Sequence, residues 1–315
     1  MKVIEHLQRA KAPLISFEII PPRRGGELRA LLALVDDLVK YRPPFIDITS
    51  HPAEVVYEET PQGLQRRMVR KRPGTLGLCA LIQNKYGVDA VPHVLCHSFT
   101  REETEDFLIE LRYLGIDNVL ALRGDDHTPR KAVSEGRTTN TFAIDLIRQI
   151  RDMNEGRYLG SGESADPSSF CIGAAAYPEK HLDAPNLETC LRRTIEKVQA
   201  GAEYLVTQMF FDNRHYFRFV DSCREAGIEV PIIPGIKILT SKAHLKSLPR
   251  TFQCEIPRAL CEEVEAAKAE HVVDIGVEWA RKQSEELLEK GVPSLHYYVM
   301  QSSKAISALL QKLPL

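Results

Sequence analysis

The chain has 315 residues, 43% of them hydrophobic and 27% charged, with a net charge of −2. This is an ordinary globular composition, long enough for one large α/β domain or two smaller ones, with no electrostatic basis for binding nucleic acid or a membrane surface. No run approaches the ~18 apolar residues of a membrane span, and the segment Met1-Lys2-Val3-Ile4-Glu5-His6 lacks the apolar stretch of a secretory signal, so the cytoplasm is the expected location.

Residues 14–20 read as a buried strand, stopped by Pro21-Pro22. One carboxylate, Glu18, sits inside that apolar run. A charge there is costly unless it is paired or faces a cavity where it has chemistry to do. After Gly25-Gly26, a helix is expected from Glu27 to Tyr41, with Leu28, Leu31, Leu32, Val35, Leu38 and Val39 at helical spacing. Phe45 to Thr49 is the second strand. Helical stretches are expected at about 60–72 and 75–86, and a third strand at 90–96. Thr100-Arg101-Glu102-Glu103 is a capping box, so a helix starts there and runs to Leu114, with Gly115 closing it.

Asn118 to Leu122 is the fourth strand, and it delivers Arg123-Gly124-Asp125 at its end. A polar loop (126–140), a helix near 141–153 and a Gly/Ser-rich loop (155–168), read as mobile, follow. Residues 170–178 form a small-residue strand, and Asn186 opens a helix ending at Ala200-Gly201. Further strands are expected at 204–211 and 231–236, with a helix from Asn213 to Ala226 between them. The region 241–290 is helical in pattern throughout. Ser294 to Met300 is the eighth strand, and Ser303 to Leu313 the last helix. The seven cysteines are scattered, never spaced Cys-x-x-Cys, and read as reduced core thiols.

Eight strands, each followed by helical pattern, predict a single-domain (β/α)8 barrel over residues 1–315, with extra helices near 241–290. A doubly wound open sheet is the alternative. In such a barrel the active site lies at the C-terminal ends of the strands. Those ends carry Glu18, Thr49, His93, Arg123-Gly124-Asp125, Tyr177, Gln208 and Tyr298. Each has an ordinary explanation alone: a satisfied core histidine, a structural ion pair, a packed rim aromatic. Together they mark a site. No Gly-x-Gly-x-x-Gly follows a strand, and there is no P-loop, His-Glu-x-x-His or Gly-x-Ser-x-Gly. Gly160-Ser161-Gly162 precedes its strand, the wrong order for a nucleotide loop. His93 and His97 lack a third ligand, so no metal is expected.

The stretches Phe17-Glu18-Ile19-Ile20-Pro21-Pro22, Pro92-His93-Val94-Leu95-Cys96, Ala121-Leu122-Arg123-Gly124-Asp125, Ala175-Ala176-Tyr177-Pro178-Glu179-Lys180-His181, Ala200-Gly201-Ala202, Thr207-Gln208-Met209-Phe210-Phe211-Asp212 and Pro234-Gly235-Ile236 occur in that order across nearly the whole chain. As a set they resemble the flavin-dependent, bacterial-type methylenetetrahydrofolate reductases. The resemblance implies a barrel holding FAD at the strand ends, without the C-terminal regulatory domain of larger eukaryotic members. NADH or NADPH would reduce the flavin and leave. Methylenetetrahydrofolate would then take a hydride at its methylene carbon, giving 5-methyltetrahydrofolate. The methylene carbon accepts hydride only as an iminium cation, so ring opening needs an acid, implied to be Glu18, and the cation needs a fixed negative charge, implied to be Asp125. Gln208 and Tyr298, with Glu18 and Asp125, would hold the folate. Thr49, His93, Leu122, Arg123, Gly124, Asp125, Ala175, Tyr177, His181, Arg193 and Lys197 would hold FAD. Family members are commonly homo-oligomers, and an oligomer is expected.

Five places depart from the family pattern. Thr49 is followed by Ser50-His51 rather than Tyr-Gly, and Pro234-Gly235-Ile236 by Lys237-Ile238-Leu239. Leu248 falls where a substrate-stacking aromatic is expected. The eighth strand ends Tyr298-Val299-Met300-Gln301-Ser302, without the family's basic residue, and Cys190 replaces an expected Asp. These changes fall more on the substrate-facing loops than on the FAD-facing strand ends. They keep two alternatives open: a same-fold flavoprotein reduced by a partner protein, and a folate- or flavin-binding subunit of a methyl-transfer assembly without turnover of its own.

Overall fold

The computed structural model describes residues 1–313 except 52, 98, 125–132, 134 and 161–164. Asp125, Gly162 and most of the polar loop expected at 126–140 therefore lie outside the described residues. Among those described, the strands are β1 (Leu14–Ile19), β2 (Phe45–Ile48), β3 (Glu54–Thr60), β4 (Gly63–Val69), β5 (Asp89–Leu95), β6 (Asn118–Leu122), β7 (Cys171–Ala176), β8 (Tyr204–Thr207), β9 (Ile232–Ile233), β10 (Gly235–Ile236) and β11 (Ser294–Met300). The helices are α1 (Val3–Arg9), α2 (Leu28–Leu38), α3 (Leu76–Tyr86), α4 (Arg101–Tyr113), α5 (Ala143–Asn154), α6 (Leu187–Ala200), α7 (Asn213–Glu225), α8 (His244–Phe252), α9 (Arg258–Ala266), α10 (Val272–Glu289) and α11 (Lys304–Leu310).

The main sheet is parallel, in the order β10-β11-β1-β2-β5-β6-β7-β8-β9. Its two terminal strands, β9 and β10, are one chain segment interrupted at Pro234, which has no N–H to donate. They count as one staved element, so the ring closes as an eight-stranded barrel rather than an open sheet. Strand alternation sorts the side chains. Ile15, Phe17, Ile19, Ile46, Ile48, Val119, Ala121, Ile172, Leu205, Leu295 and Tyr297 face outward and build the large core beneath the helices. Phe45, Val91, Leu120, Cys171, Tyr204, Val206 and Ile233 fill the lower lumen together with Val3.

Val3 comes from α1, a helix that the sequence pattern does not reveal. It has seven residues, and although Val3, Ile4 and Leu7 pack on the lumen cluster, one apolar repeat is too short to establish a period. Tertiary contacts hold it across the bottom of the barrel. Val3 N–H donates to Asn118 Oδ1 at 2.8 Å, and the amino terminus meets Asp89 Oδ1 at 2.8 Å.

The helix expected at 60–72 is not present: β3 and β4 form an antiparallel hairpin there. Its turn contains Pro61-Gln62-Gly63, with Gly63 at φ +114° and Thr60 Oγ1 donating to Gly63 O at 2.8 Å. Tyr57, Leu64 and Met68 are exposed, so no buried stripe exists from which a period could be read. The strand expected at 204–211 ends at Thr207, because Met209 and Phe211 leave the sheet and pack under α8, α9 and α10. The 241–290 region is helical as expected but divided into three helices: Gln253 at φ +57° to Pro257 separates α8 from α9, and the extended Ala267 and Lys268 separate α9 from α10. The remaining elements lie close to their predicted positions. No helix among the described residues is long and apolar enough to cross a membrane.

The Thr100 capping box forms as predicted. Thr100 Oγ1 accepts from Glu103 N–H at 3.1 Å, and Glu103 Oε2 accepts from Thr100 N–H at 2.9 Å. Thr100→Ala is expected to cost about 1 kcal/mol, read as a lower midpoint in urea unfolding with an unchanged slope. No change in the midpoint would show that the cap contributes nothing to the global stability.

Candidate active site

The strand register that places Ile15, Phe17 and Ile19 outward turns Ser16 and Glu18 into the lumen. Glu18 pairs in register with Asp47 on β2 and Tyr298 on β11. Beside it, β1 and β11 slip register between Glu18 and Ile19, and Met300 takes φ +69°. This bulge re-aims the strand ends at the mouth. Glu18 is 9% exposed. Burial pushes its carboxyl up to about 7; Asp47 adds to the rise, and His93 and Lys237 oppose it. Glu18 is thus a carboxylic acid that holds its proton near neutral pH, the state required of a general acid.

His93 Nε2 lies 3.4 Å from Glu18 Oε2 and 3.7 Å from Asp47 Oδ2. Burial pulls the imidazole down, favouring its neutral form, and Glu18 opposes the change. On the other side of the mouth, Tyr298 Oη donates to Thr207 O at 2.6 Å. Its phenol is therefore occupied, and the ring packs edge-on to His296 at 5.4 Å. Gln208 follows β8 and accepts from Met209 N–H at 2.9 Å through its side-chain oxygen. Thr49 Oγ1 and His51 Nε2 are 3.0 Å apart, which ties Thr49 to one of the residues that departs from the family pattern.

A second cluster lies beyond β6 and β7. Lys197 on α6 reaches back to donate to Ala175 O at 2.8 Å and sits 5.5 Å over the Tyr177 ring. Tyr177 meets His181 edge-on at 4.5 Å. Arg123 is paired with Asp183, and Arg193 donates to Asp183 O at 3.4 Å. Burial, then the nearby Arg193 and Arg123, pull the Lys197 ammonium down to about 8, with Cys190 opposing. Gly124 has φ +90°, and a Cβ there would come 3.3 Å from His97 Cβ, so this turn suits glycine. Leu122 packs at the top of the lumen cluster.

The sequence-predicted residues thus fall into two groups. Glu18, His93, Tyr298, Gln208 and Thr49 surround the lumen mouth. Arg123, Gly124, Ala175, Tyr177, His181, Arg193 and Lys197 form a cationic ledge beside it. Sequence reasoning overlooked Asp47, His296, Asp183 and the inward reach of Lys237, whose Nζ donates to Tyr298 O at 2.8 Å. Asp47 and His296 carry the same signal that exposed Glu18, a polar residue inside an apolar strand. Leu248, at the expected aromatic position, is buried among α8–α10.

A buried carboxyl raised toward neutrality thus stands in the mouth of a parallel barrel, beside a ledge bearing Arg123, Arg193 and Lys197, at the end of the barrel where such folds place their active sites. The family model described as methylenetetrahydrofolate reductase matches residues 2–314, and the chain belongs to that family. It is 31% identical to a Caenorhabditis elegans protein named probable methylenetetrahydrofolate reductase (NADPH), over 99% of this chain and 44% of that one. It is 28% identical to the Salmonella typhimurium 5,10-methylenetetrahydrofolate reductase, over 95% of this chain and 90% of that one. The chain spans about half the length of the eukaryotic relatives, 44% in the nematode and 51% in Arabidopsis thaliana. Among solved structures, an uncharacterized Clostridium thermocellum protein that binds two copies of 5-methyl-5,6,7,8-tetrahydrofolic acid superposes with a TM-score of 0.57 at 16% identity, covering 98% of this chain and 96% of that one. An oxaloacetate acetylhydrolase gives 0.52 at 11% identity, covering 98% and 82%. At those identities the likeness is one of fold.

Proposed function

We propose that residues 1–315 form a single flavin-binding catalytic barrel that reduces 5,10-methylenetetrahydrofolate to 5-methyltetrahydrofolate with electrons from NADH or NADPH. The observation that carries this reading is the lumen carboxyl of Glu18, held up to about 7 by burial at the C-terminal end of β1. Opening the imidazolidine ring requires a proton on the leaving nitrogen, and Glu18 supplies it. As the C–N bond breaks, that nitrogen takes the Glu18 proton and the other nitrogen shares its lone pair with the methylene carbon. The fixed negative charge facing this cation is assigned to Asp125 on sequence grounds. Gln208 and Tyr298 border the same mouth and hold the pterin.

The ledge fits FAD. Arg123, Arg193 and Lys197 bring three cations together, as a site for a diphosphate requires; burial first, and then the two guanidinium groups, lower the proton affinity of Lys197, and a bound diphosphate would oppose that change. Gly124 removes a side chain from the turn after β6. Thr49, His93, Leu122, Ala175, Tyr177 and His181 complete the holding set. FAD, when bound, supplies hydride transfer between nicotinamide and folate; the protein supplies orientation, the proton and the dry mouth.

The reading is tested by following the visible spectrum of the purified protein anaerobically. A flavin band bleached by NADH or NADPH and restored by methylenetetrahydrofolate is expected. A band untouched by both nucleotides but bleached by a chemical reductant would transfer the electron supply to a partner protein. A colourless protein that cannot be reconstituted with FAD would overturn the flavin assignment. Separately, Lys197→Met is expected to weaken FAD binding at least about tenfold, measured by quenching of FAD fluorescence with the fold monitored by circular dichroism. Wild-type affinity in that variant would move the diphosphate away from α6.

A further inference from the structure

The lumen below the mouth holds more acid–base groups than the proposed reaction uses. Asp47 is 0% exposed, and neither of its carboxylate oxygens has a hydrogen-bond partner. The same is true of His93 Nε2 and His296 Nε2. Tyr204 Oη in the same lumen is also without a partner. Unsatisfied buried polar atoms are costly, and five in one lumen call for an explanation. Asp47 and Glu18 are register partners on neighbouring strands, and both approach the same imidazole nitrogen, at 3.7 and 3.4 Å.

The groups facing Asp47 come from four other strands of the barrel. Glu18 and Ser16 lie on β1, His93 on β5, Tyr204 on β8, and His296 and Tyr298 on β11. Cys79 of α3 lies in its field from outside the barrel, and Lys237 faces Glu18. Ser16 Oγ and His296 Nδ1 are 2.8 Å apart, which fixes the His296 ring. Burial keeps both imidazoles toward their neutral forms. Two carboxylates converging on a neutral imidazole in a buried lumen do not both ionise at neutral pH. Burial raises the Asp47 carboxyl to about 6, which leaves it below the about 7 of Glu18, so Asp47 is the more acidic of the two.

We propose that Asp47 is a positioning residue: the two carboxyls facing His93 Nε2 hold one proton between them, and the negative charge on Asp47 keeps that proton on Glu18. This rests on the reading of Glu18 as the acid. When Glu18 donates, its O–H bond breaks and an N–H bond forms on the leaving nitrogen. The lumen then holds two negative charges, and their repulsion draws the next proton from solvent back onto Glu18. Asp47 touches neither substrate nor cofactor in this scheme; it acts through Glu18.

The test is a pH titration of the Glu18 carboxyl by NMR in purified protein containing 13C-carboxyl glutamate. The resonance is assigned by its loss in Glu18→Gln. In the wild-type protein, two steps are expected, because interacting groups titrate as a pair. In Asp47→Asn, one step is expected, displaced to lower pH by about one unit. The falling limb of the pH profile for folate reduction should move the same way, while the profile for nicotinamide oxidation keeps its position. A single wild-type step unmoved by Asp47→Asn overturns the proposal. If Asp47→Asn does not fold, the wild-type titration decides alone: two steps support sharing, and one step refutes it. A two-step resonance with a folate-reduction profile that ignores Glu18 would leave the shared proton standing and remove Glu18 as the acid.

Discussion

Glu18→Gln is expected to slow reduction of methylenetetrahydrofolate by about 10²–10⁴-fold, the range for removing a positioned general acid. The substitution keeps the side-chain shape and removes the transferable proton. Reduction by nicotinamide protonates no leaving group, so its rate in the same variant is the comparison. The wild-type pH profile follows from the same group. Burial holds the Glu18 carboxyl at about 7, so the acid is loaded below that pH and folate reduction declines as pH rises through it.

Stability responds to the same proton. The folded carboxyl is raised from 4.5 to about 7, so the native state binds more protons than the unfolded chain between those values. The stability contribution is complete below 4.5 and is lost as pH rises through about 7. Glu18→Gln should therefore unfold at higher urea than wild type above pH 7, by up to about 3 kcal/mol, with the difference vanishing in acid. Wild-type turnover in Glu18→Gln, or a profile flat through neutral pH, would remove Glu18 from the chemistry.

Gly235→Ala is expected to destabilise the barrel by more than about 4 kcal/mol, enough to give unfolded or insoluble protein. A Cβ at this position would lie 2.3 Å from Thr207 O and 2.6 Å from Tyr298 Oη. Those two atoms form the 2.6 Å hydrogen bond that joins β8 to β11, and Gly235 N–H itself donates to Thr207 Oγ1 at 2.9 Å. The first obstacle is backbone, so no rotamer change relieves the clash. The expected result is loss of the cooperative transition in urea, followed by circular dichroism. A near-wild-type midpoint would mean that the ring does not close through this seam.

How far the sequence reaches differs by element. The strands at 118–122 and 294–300 were legible to the residue, and the Thr100 capping box located the start of α4, because each signal is local. The helix expected at about 60–72 is instead the second half of the hairpin at 54–69, which buries no face from which a period could be read. α1 was missed because only long-range contacts to Asn118 and Asp89 hold it. Glu18 stood out as a charge within an apolar strand, yet Asp47 and His296, set in comparable strands, passed unnoticed. The departure at Lys237 was visible, but not that its ammonium reaches the strand bearing Tyr298.

By itself, the sequence determined the alternation of strand and helix, the strand ends that bear polar side chains, and the Glu18 carboxyl set in an apolar run. These are properties of a few neighbouring residues, set by apolar period, caps and the cost of a charge in an apolar run. The tertiary structure alone decided that the ring closes at Pro234, that α1 seals its base, and that Glu18, Asp47, His93 and His296 share one lumen. Those facts depend on the register between strands far apart in the chain, because a shift of one residue would turn each of these side chains outward.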